Sequence, residues 1–306
     1  MVQNIVDIAP LIADERKAGE MIERLRWPNG VKCPHCDHEK VYETKGPNPK
    51  RKQWKCGGCR KKFSVTTGSI FEGSHIHLGK WIFAIYMMAS SKKGISANQL
   101  KRELQITYKA AWFMCHRIRY AMSEEPLKGL LGGSGGIVEV DETYIGGKSH
   151  GKVGRGAPKK TPVVALIERG GRARSQRVDR VSGPVLKGLV RDNVAIESHV
   201  MTDSFASYRG LDKTFARHST VDHSKEYARG IVHVNFAESY FSLLKRGIIG
   251  AFHHVSADHL DNYLNEFNFR WNMRDATDGD RMKAAIRGAE GKRMTYQEPV
   301  QQDIEN

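Results

Sequence analysis

The 306-residue sequence lacks the long apolar run that a membrane-spanning helix requires. Its longest uninterrupted apolar run extends only from Trp81 to Ala89, whereas about 18 to 20 residues are needed to cross a bilayer. The N-terminus does not resemble a signal peptide, because Asp7, Asp14 and Glu15 interrupt its apolar residues. The sequence therefore predicts a cytoplasmic protein and argues against membrane and secreted classes.

Cysteine is also scarce, and no internal repeat is present. In a reducing compartment, five cysteines are not expected to form a disulfide framework, and four of them stand in two close pairs. The hydrophobic fraction of 40% excludes wholesale disorder. The length is typical of roughly two domains.

Acidic residues are outnumbered, with 34 Asp and Glu against 49 Lys and Arg, so the formal net charge is +15. The excess is concentrated in residues 29–80, 92–120 and 148–191, which together carry +23, while the rest of the chain carries −8. Such a surplus favours a polyanionic partner, nucleic acid first and an anionic membrane surface second. Charge alone does not indicate any chemistry.

The two cysteine pairs have the spacing of a zinc ribbon. Cys33 and Cys36 are followed, after 19 intervening residues, by Cys56 and Cys59. Four thiolates on two tight turns complete a closed tetrahedron, so one structural zinc ion is expected. The alternative is four unrelated buried or redox cysteines, and Cys115 is expected to be an inert core thiol. Lys52 and Lys61 lie on the basic surface of this region and are candidate DNA contacts.

Composition and breaker residues divide the chain into six segments. In chain order we predict an N-terminal amphipathic helix (1–28), a zinc ribbon (29–72), a helix-turn-helix-like region (76–126), a Gly-rich linker (127–136), a domain of strands and helices (137–276) and a polar C-terminal tail (277–306). The polarity of that tail favours partial disorder.

Residues 94–112 have the pattern of a helix-turn-helix. One helix is capped by Ser96 and a second, after a short break, by Thr107. The second helix would lie in the major groove. It carries the basic candidates for DNA contact, namely Lys109, His116, Arg117 and Arg119. The alternative is an ordinary helical hairpin with a solvated basic face.

Three acids stand on elements that could bring them together. Alternation in strand 137–145 places Glu139 and Asp141 on one face, and Asp203 ends another short strand. Glu238 lies on a helix whose polar stripe also contains Asn235, Ser242 and Lys245. Oxygen ligands of this kind suit two Mg²⁺ ions, although each acid alone is also compatible with a turn, a cap or a solvated charge.

From Cys33 to Arg274, about four fifths of the chain, the sequence resembles bacterial insertion-sequence transposases of the zinc-ribbon, ISXO-two-like kind. The resemblance rests on the two cysteine pairs, on VDETYIGGK (140–148), MTDSFASY (201–208) and HSKEYARG (223–230), and on NFAESYFSLLKRGIIGAFHHVS (235–256) with YLNEFNFRWNMR (263–274). It implies an α/β fold, in which a ribonuclease-H-like mixed-sheet catalytic domain of the DDE type follows the zinc ribbon and the small helical domain.

The resemblance also implies roles for individual residues. Asp141 is similar to the first metal-binding aspartate and Asp203 to the second. Glu238 is favoured as the third, but the family also allows an Asn there, so Asn235 stays open. Lys245 and Arg246 follow the third acid, and Lys148 begins a basic loop that lacks the first glycine of a phosphate-binding loop. All three are candidate DNA contacts.

The sequence thus predicts a DNA transposase that binds terminal repeats and uses two Mg²⁺ or Mn²⁺ ions for phosphodiester hydrolysis and strand transfer. Its expected partner is double-stranded DNA, both element ends and target, on which it forms a homo-oligomer, a dimer. Two alternatives remain open. One is a catalytically silent zinc-ribbon regulator, and the other is a metal-dependent nuclease without joining activity.

Overall fold

The computed structural model describes residues 4–49, 51–124, 129–147, 160–222, 224–226 and 228–297. The chain divides into two compact units. The first comprises Met1–Ser123 together with Met273–Asn306, and the second comprises Glu124–Asn272. No helix within the described ranges combines the length and apolar character needed to cross a membrane.

The first unit begins with two helices where the sequence predicts one. Helix α1 (Ile5–Ala13) and helix α2 (Glu15–Arg26) are separated at Asp14, whose backbone is extended. The Asp14 side chain accepts hydrogen bonds from the N–H groups of Arg16 and Lys17. An aspartate at this position starts a new helix, which explains the break.

The ribbon and the helical region follow. Strands β1 (Val41–Thr44), β2 (Gln53–Cys56) and β3 (Lys62–Ser64) form an antiparallel sheet. Helix α3 (Leu78–Ser90) precedes α4 (Ala97–Leu104) and α5 (Tyr108–Met122). Ser96 and Thr107 cap α4 and α5 through their side chains, as the sequence predicts.

The C-terminal segment differs from the polar tail predicted from its composition. Residues Asp278–Arg287 form helix α9, which buries Met282, Ala285 and Ile286 and packs against α3. Just beyond it, a Cβ on Gly288 would lie 2.3 Å from the carbonyl oxygen of Ala121 in α5, so only glycine permits this approach. Apolar residues at helical spacing, and not the average polarity, decide whether such a segment packs.

The second unit is built on a five-stranded mixed sheet in the order β6-β5-β4-β7-β8. Its strands are β4 (Ile137–Ile145), β5 (Thr161–Glu168), β6 (Ala173–Arg177), β7 (His199–Asp203) and β8 (Arg217–Val221). β5 pairs antiparallel with both β4 and β6, whereas β4, β7 and β8 run parallel.

Helices cover both faces of this sheet. Val138 and Val140 face one core, which includes residues of α6 (Gly183–Asn193). The other core includes residues of α7 (Asn235–Gly247) and α8 (Ala257–Asn272), and a π-type turn, Ile248–Phe252, extends α7. Successive side chains of β4 therefore face opposite sides of the sheet, as the sequence predicts. The predicted α/β class and the mixed sheet are confirmed.

Helix α8 also closes the outer edge of β6. Asp261 accepts from the N–H of Arg177, Asn268 donates to the carbonyl of Ser175, and Asn272 bonds both the N–H and the carbonyl of Ala173. Edge strands otherwise expose unpaired backbone groups. The polar residues of the YLNEFNFRWNMR segment that take part in these bonds therefore stabilise the sheet.

Candidate metal centres and nucleic-acid surface

The four paired cysteines converge in the ribbon. Their Sγ atoms all lie within 4.8 Å of one another, with 3.7 Å between Cys33 and Cys59 and 3.6 Å between Cys36 and Cys56. Sulfurs bound tetrahedrally to zinc at about 2.3 Å are about 3.8 Å apart. The donor set and its spacing therefore fit one structural zinc ion, as the sequence predicts.

Local backbone geometry and charge prepare these thiols for a metal. Each pair is followed by a residue in the left-handed region, Asp37 at φ 56° and Arg60 at φ 63°, so the two turns are alike. Burial raises the pKa of the Cys33 thiol to about 12. Burial opposes ionisation of Cys56 too, but N–H groups of the turn after it, together with neighbouring thiols, lower its pKa to about 6. Metal binding would displace the remaining thiol protons.

The acidic residues of the second unit lie on neighbouring elements. Asp141 is in β4 and Asp203 ends β7, and the parallel register pairs Val140 with Thr202 immediately before them. Side chains in register on adjacent parallel strands share a face. Glu238 lies in the first turn of α7, a helix that packs against β4 and β5.

Electrostatics shows that these acids act on one another. The pKa of Asp141 is raised to about 7, first by burial and then by the charges of Glu142, Asp203 and Glu238. The N–H of Glu142 donates to the Asp141 carboxylate and opposes this shift in part. Like charges that raise a pKa in this way are relieved when a cation binds between them.

The acids form a looser group than the cysteines. Among the residues that the structure describes, only the cysteines place three or more possible ligand atoms within 4.8 Å of one another. Mg²⁺ is usually held by one or two carboxylates, and waters and substrate phosphates complete its octahedral shell. An all-oxygen donor set with this spread is compatible with two Mg²⁺ or Mn²⁺ ions.

The exposed stripe of α7 carries the remaining candidates. Asn235, Glu238, Ser242 and Lys245 are all exposed, while Tyr240 and Leu244 of the same helix are buried. Arg246 is exposed as well. The alternation between a polar and a core side therefore follows the predicted pattern, and both Asn235 and Glu238 remain on the solvent side of the helix.

A buried charge cluster of Glu139, Arg169 and His233 lies next to the acidic residues. Of these three, the sequence pattern singled out only Glu139. Glu139 is fully buried and accepts from Nε of Arg169 at 2.7 Å, with Nδ1 of His233 at 3.1 Å. Its other oxygen accepts from the N–H groups of Phe236 and Ala237. A carboxylate inside a β-branched strand signals a cationic partner, but nothing in the sequence identifies Arg169 or His233.

Comparisons with known proteins agree with the fold and with the cysteine geometry. Residues 133–272 match the ISXO2-like transposase domain, and residues 13–62 match the transposase zinc-ribbon domain. An uncharacterized protein in transposable element ISH50 of Halobacterium salinarum is 32% identical over 274 residues, which cover 84% of this chain and 90% of the relative. The chain belongs to the ISXO2-like transposase family.

Shorter and more distant similarities also occur. An uncharacterized transposase-like protein of Haemophilus influenzae is 30% identical to this chain over 95 residues, which cover 31% of this chain and 76% of that protein. A Mos1 transposase paired-end complex with the left transposon end has 13% identity and a TM-score of 0.28, covering 68% of this chain and 74% of that chain. A pre-cleavage Mos1 transpososome has 15% identity and a TM-score of 0.25, covering 65% and 75%.

The match to the zinc-ribbon domain begins before the predicted segment 29–72 and includes α2. The structure explains this, because α2 packs on the ribbon through polar contacts. Nε1 of Trp54 donates to Glu23 at 3.3 Å, and Arg51 is paired with Glu15 at 2.6 Å. Helix α2 and the ribbon therefore form one folded part of the first unit.

Arg117 and Arg119 do not lie where the sequence predicts. Both are buried, with 3% and 2% exposure, and His116 is fully buried. The Arg117 guanidinium donates to the carbonyl of Glu72 and lies over the ring of Trp81, and burial lowers its pKa to about 10. The prediction that these two arginines contact DNA is therefore wrong, because both are core residues. The sequence could not reveal that α9 covers part of α5.

The other basic candidates have different positions. Lys61 and Lys109 are exposed, and Nζ of Lys109 lies 4.3 Å from the ring centroid of Tyr296. Lys52 is paired with Glu23 at 3.4 Å, so its charge is partly neutralised within the unit. Lys148 lies outside the described residues. Lys101 and Arg102, in the last turn of α4, are exposed as well, as are Lys92 and Lys93 before that helix.

Proposed function

We propose that this chain is an active transposase that cuts and joins double-stranded DNA with two Mg²⁺ or Mn²⁺ ions. The observation that supports the proposal is the placement of three acids on adjacent elements: Asp141 and Asp203 follow the paired residues Val140 and Thr202, and Glu238 lies in the first turn of α7, which packs against β4. Burial, followed by the charges of Glu142, Asp203 and Glu238, raises the pKa of Asp141 to about 7. Strands from one sheet and a helix packed on it supply these acids, so the fold itself brings them near one another.

Two divalent ions, when bound, would stabilise both the attacking and the leaving oxygen of an in-line phosphoryl displacement. Asp141, Asp203 and Glu238 would hold them. The N–H of Phe205 donates a hydrogen bond to Oδ1 of Asp203 and so contributes to the orientation of that carboxylate. A carboxylate contributes charge as well as an oxygen, which favours Glu238 over Asn235 as the third ligand.

Hydrolysis and joining use the same displacement. In the first step the oxygen of water attacks a phosphorus, the bond to the 3′ oxygen breaks, and that oxygen leaves as a 3′-OH. In the second step this 3′-OH attacks a target phosphodiester, whose own 3′ oxygen leaves. Lys245, which is exposed two turns beyond Glu238, would contact a DNA phosphate.

The helical region would recognise the element ends. Its reader surface consists of Lys101, Arg102, Tyr108 and Lys109, all exposed around the turn into α5. The first turn of a recognition helix is the part that reaches base edges in the major groove. Joining two ends requires two active sites or one used twice, so we expect a dimer on DNA.

The test incubates the protein with its own flanking DNA ends and Mg²⁺ and maps every cut strand. Free 3′ ends followed by joined products support a transposase. Free ends without joining indicate a nuclease, and binding without cutting indicates a silent regulator. Retention of full cleavage and strand transfer by Asp141→Asn would refute the catalytic assignment.

Matched variants separate the two candidates for the third ligand. Glu238→Gln should reduce cleavage by about 100-fold or more, whereas Asn235→Ala should reduce it by less than about 10-fold. The reverse order would assign the role to Asn235. Sedimentation of the protein with and without DNA ends measures the expected dimer.

A further inference from the structure

The start of α7 lacks a local cap. Val234 occupies the cap position and contributes no side-chain hydrogen bond. Instead, Oε2 of Glu139 accepts from the N–H of Phe236 at 2.8 Å and from that of Ala237 at 3.2 Å. A buried carboxylate from β4 thus satisfies two of the free N–H groups that every helix start presents.

Arg169 completes this connection from a third element. It directly follows β5 and donates to Oε1 of Glu139 at 2.7 Å. It also donates to the carbonyls of Ile231 at 2.8 Å and His233 at 3.1 Å, in the segment that leads into α7. One guanidinium therefore holds both the capping carboxylate and the chain that enters the helix.

The position of Glu139 gives the cap a consequence for the site. Glu139 precedes Asp141 by two residues on β4, so the two side chains share a face of the strand. Its helix partners, Phe236 and Ala237, directly precede Glu238. The hydrogen bonds thus join the strand that carries the first acid to the helix turn that carries the third.

We propose that Glu139 and Arg169 are positioning residues, which fix the start of α7 and hold Glu238 at a set separation from Asp141. The consequence for metal binding rests on the proposed function. A merely structural ion pair would stabilise the unit equally well but would not set the affinity for a metal.

The chain offers a matched control. Glu266 and Arg270 form another buried pair, at 2.8 Å, with side-chain exposures of 0% and 5%. Both lie on α8, which supplies none of the candidate ligands. Glu266→Gln therefore removes a buried, arginine-paired charge of the same kind from the same unit, on a helix other than α7.

The experiment compares full-length Glu139→Gln, Arg169→Lys and Glu266→Gln with the unaltered protein. We measure Mn²⁺ binding by electron paramagnetic resonance without DNA, and cleavage of DNA ends against Mg²⁺ concentration. Glu139→Gln and Arg169→Lys should weaken Mn²⁺ binding and raise the half-saturating Mg²⁺ concentration by about 10-fold, with cleavage recovering at high Mg²⁺. Glu266→Gln should change both by less than about 2-fold, whatever it does to thermal stability.

Amide hydrogen exchange gives a readout that needs neither metal nor cleavage. In Glu139→Gln, peptides covering residues 235–241 should exchange faster than in the unaltered protein. In Glu266→Gln, the same peptides should exchange at the rate of the unaltered protein. If Glu139→Gln does not fold, Arg169→Lys decides by the same three measurements. Unchanged exchange and metal binding in both cluster variants, or an equal change in Glu266→Gln, overturns the positioning role. An unaltered protein that neither binds Mn²⁺ nor cuts DNA refutes the proposed function instead, and exchange still tests the cap.

Discussion

The phenol of Tyr208 donates a hydrogen bond of 2.7 Å to Oε2 of Glu142. Glu142 follows Asp141 on β4, and Tyr208 lies five residues after Asp203, in a short helical turn. The bond therefore connects the strand of the first acid to the segment after the second. Burial, followed by the charge of Glu142, raises the pKa of Tyr208 well above its ordinary value, so the phenol remains a donor at alkaline pH.

Tyr208→Phe should weaken this connection. We expect the free energy of unfolding to fall by about 1–3 kcal/mol, since the bond is buried and its acceptor is charged, and we expect the cleavage rate to fall several-fold. Thermal melting and DNA cleavage measure the two effects. Tyr240→Phe is the control, because Tyr240 is equally buried but bonds Ser175 and Asn268. It should lower stability and spare cleavage; a similar loss of cleavage in both variants would contradict the role of Tyr208.

The raised pKa of Asp141 predicts how stability depends on pH. An aspartate with an ordinary pKa of 3.8 and a folded pKa of about 7 binds more protons folded than unfolded between these values. The favourable contribution of Asp141 to the free energy of unfolding is therefore complete below about pH 4 and is lost as the pH rises to about 7. Without a divalent ion, Asp141→Asn should be more stable than the unaltered protein at pH 8, by roughly 1–3 kcal/mol.

Melting curves at pH 4.5 and pH 8, with and without Mg²⁺, test this expectation. Mg²⁺ should stabilise the unaltered protein at pH 8 and have little effect on Asp141→Asn. Asp222→Asn is the control in the same unit, since hydrogen bonds from Ser224 lower the pKa of Asp222 and its removal should bring no gain at pH 8. Equal or lower stability of Asp141→Asn at pH 8 would contradict the proposed repulsion.

Local patterns predicted much of the fold and part of the site. Alternation around Val138 and Val140 identified a strand with two different faces, and the sheet has a core on each side of it. The caps Ser96 and Thr107 located the starts of α4 and α5 because a cap is a contact between residues close in sequence. The cysteine spacing likewise predicted a cluster that the structure contains.

Contacts between distant parts of the chain could not be predicted in this way. Arg117 reads as one more basic residue of a recognition helix, yet it is buried against Trp81 and the carbonyl of Glu72. Arg169 sits beside a turn and resembles any surface arginine, although it is paired with Glu139, 30 residues earlier in the sequence. A single sequence records which side chains are charged, but not which distant partner removes them from solvent.

The cysteine cluster predicts a specific loss of zinc. Combining Cys33→Ser with Cys56→Ser removes one thiolate from each pair, so bound zinc should fall from about one per chain to near zero. DNA-end binding should weaken with it, because a ribbon with so small a sheet depends on its metal. Metal analysis and a binding titration measure both. Cys115→Ala, outside the cluster, should keep its zinc; undiminished zinc in the double variant would exclude the site.

The C-terminal segment predicts that the first unit needs residues that follow the second unit in the chain. Arg26, buried in α2, pairs with Glu290 at 2.6 Å, and Nζ of Lys292 donates to the carbonyls of Tyr120 and Ser123 at the end of α5. Ending the chain at Ala276 deletes these contacts together with α9, so the first unit should melt at a lower temperature and lose DNA-end binding, while zinc is retained. Ending it at Gln297 keeps every described contact and serves as the control. If the first unit melted at an unchanged temperature after the longer deletion, α9 would contribute nothing to its stability. The burial of Met282 and Ile286 argues against that outcome, because removing buried apolar side chains destabilises a core.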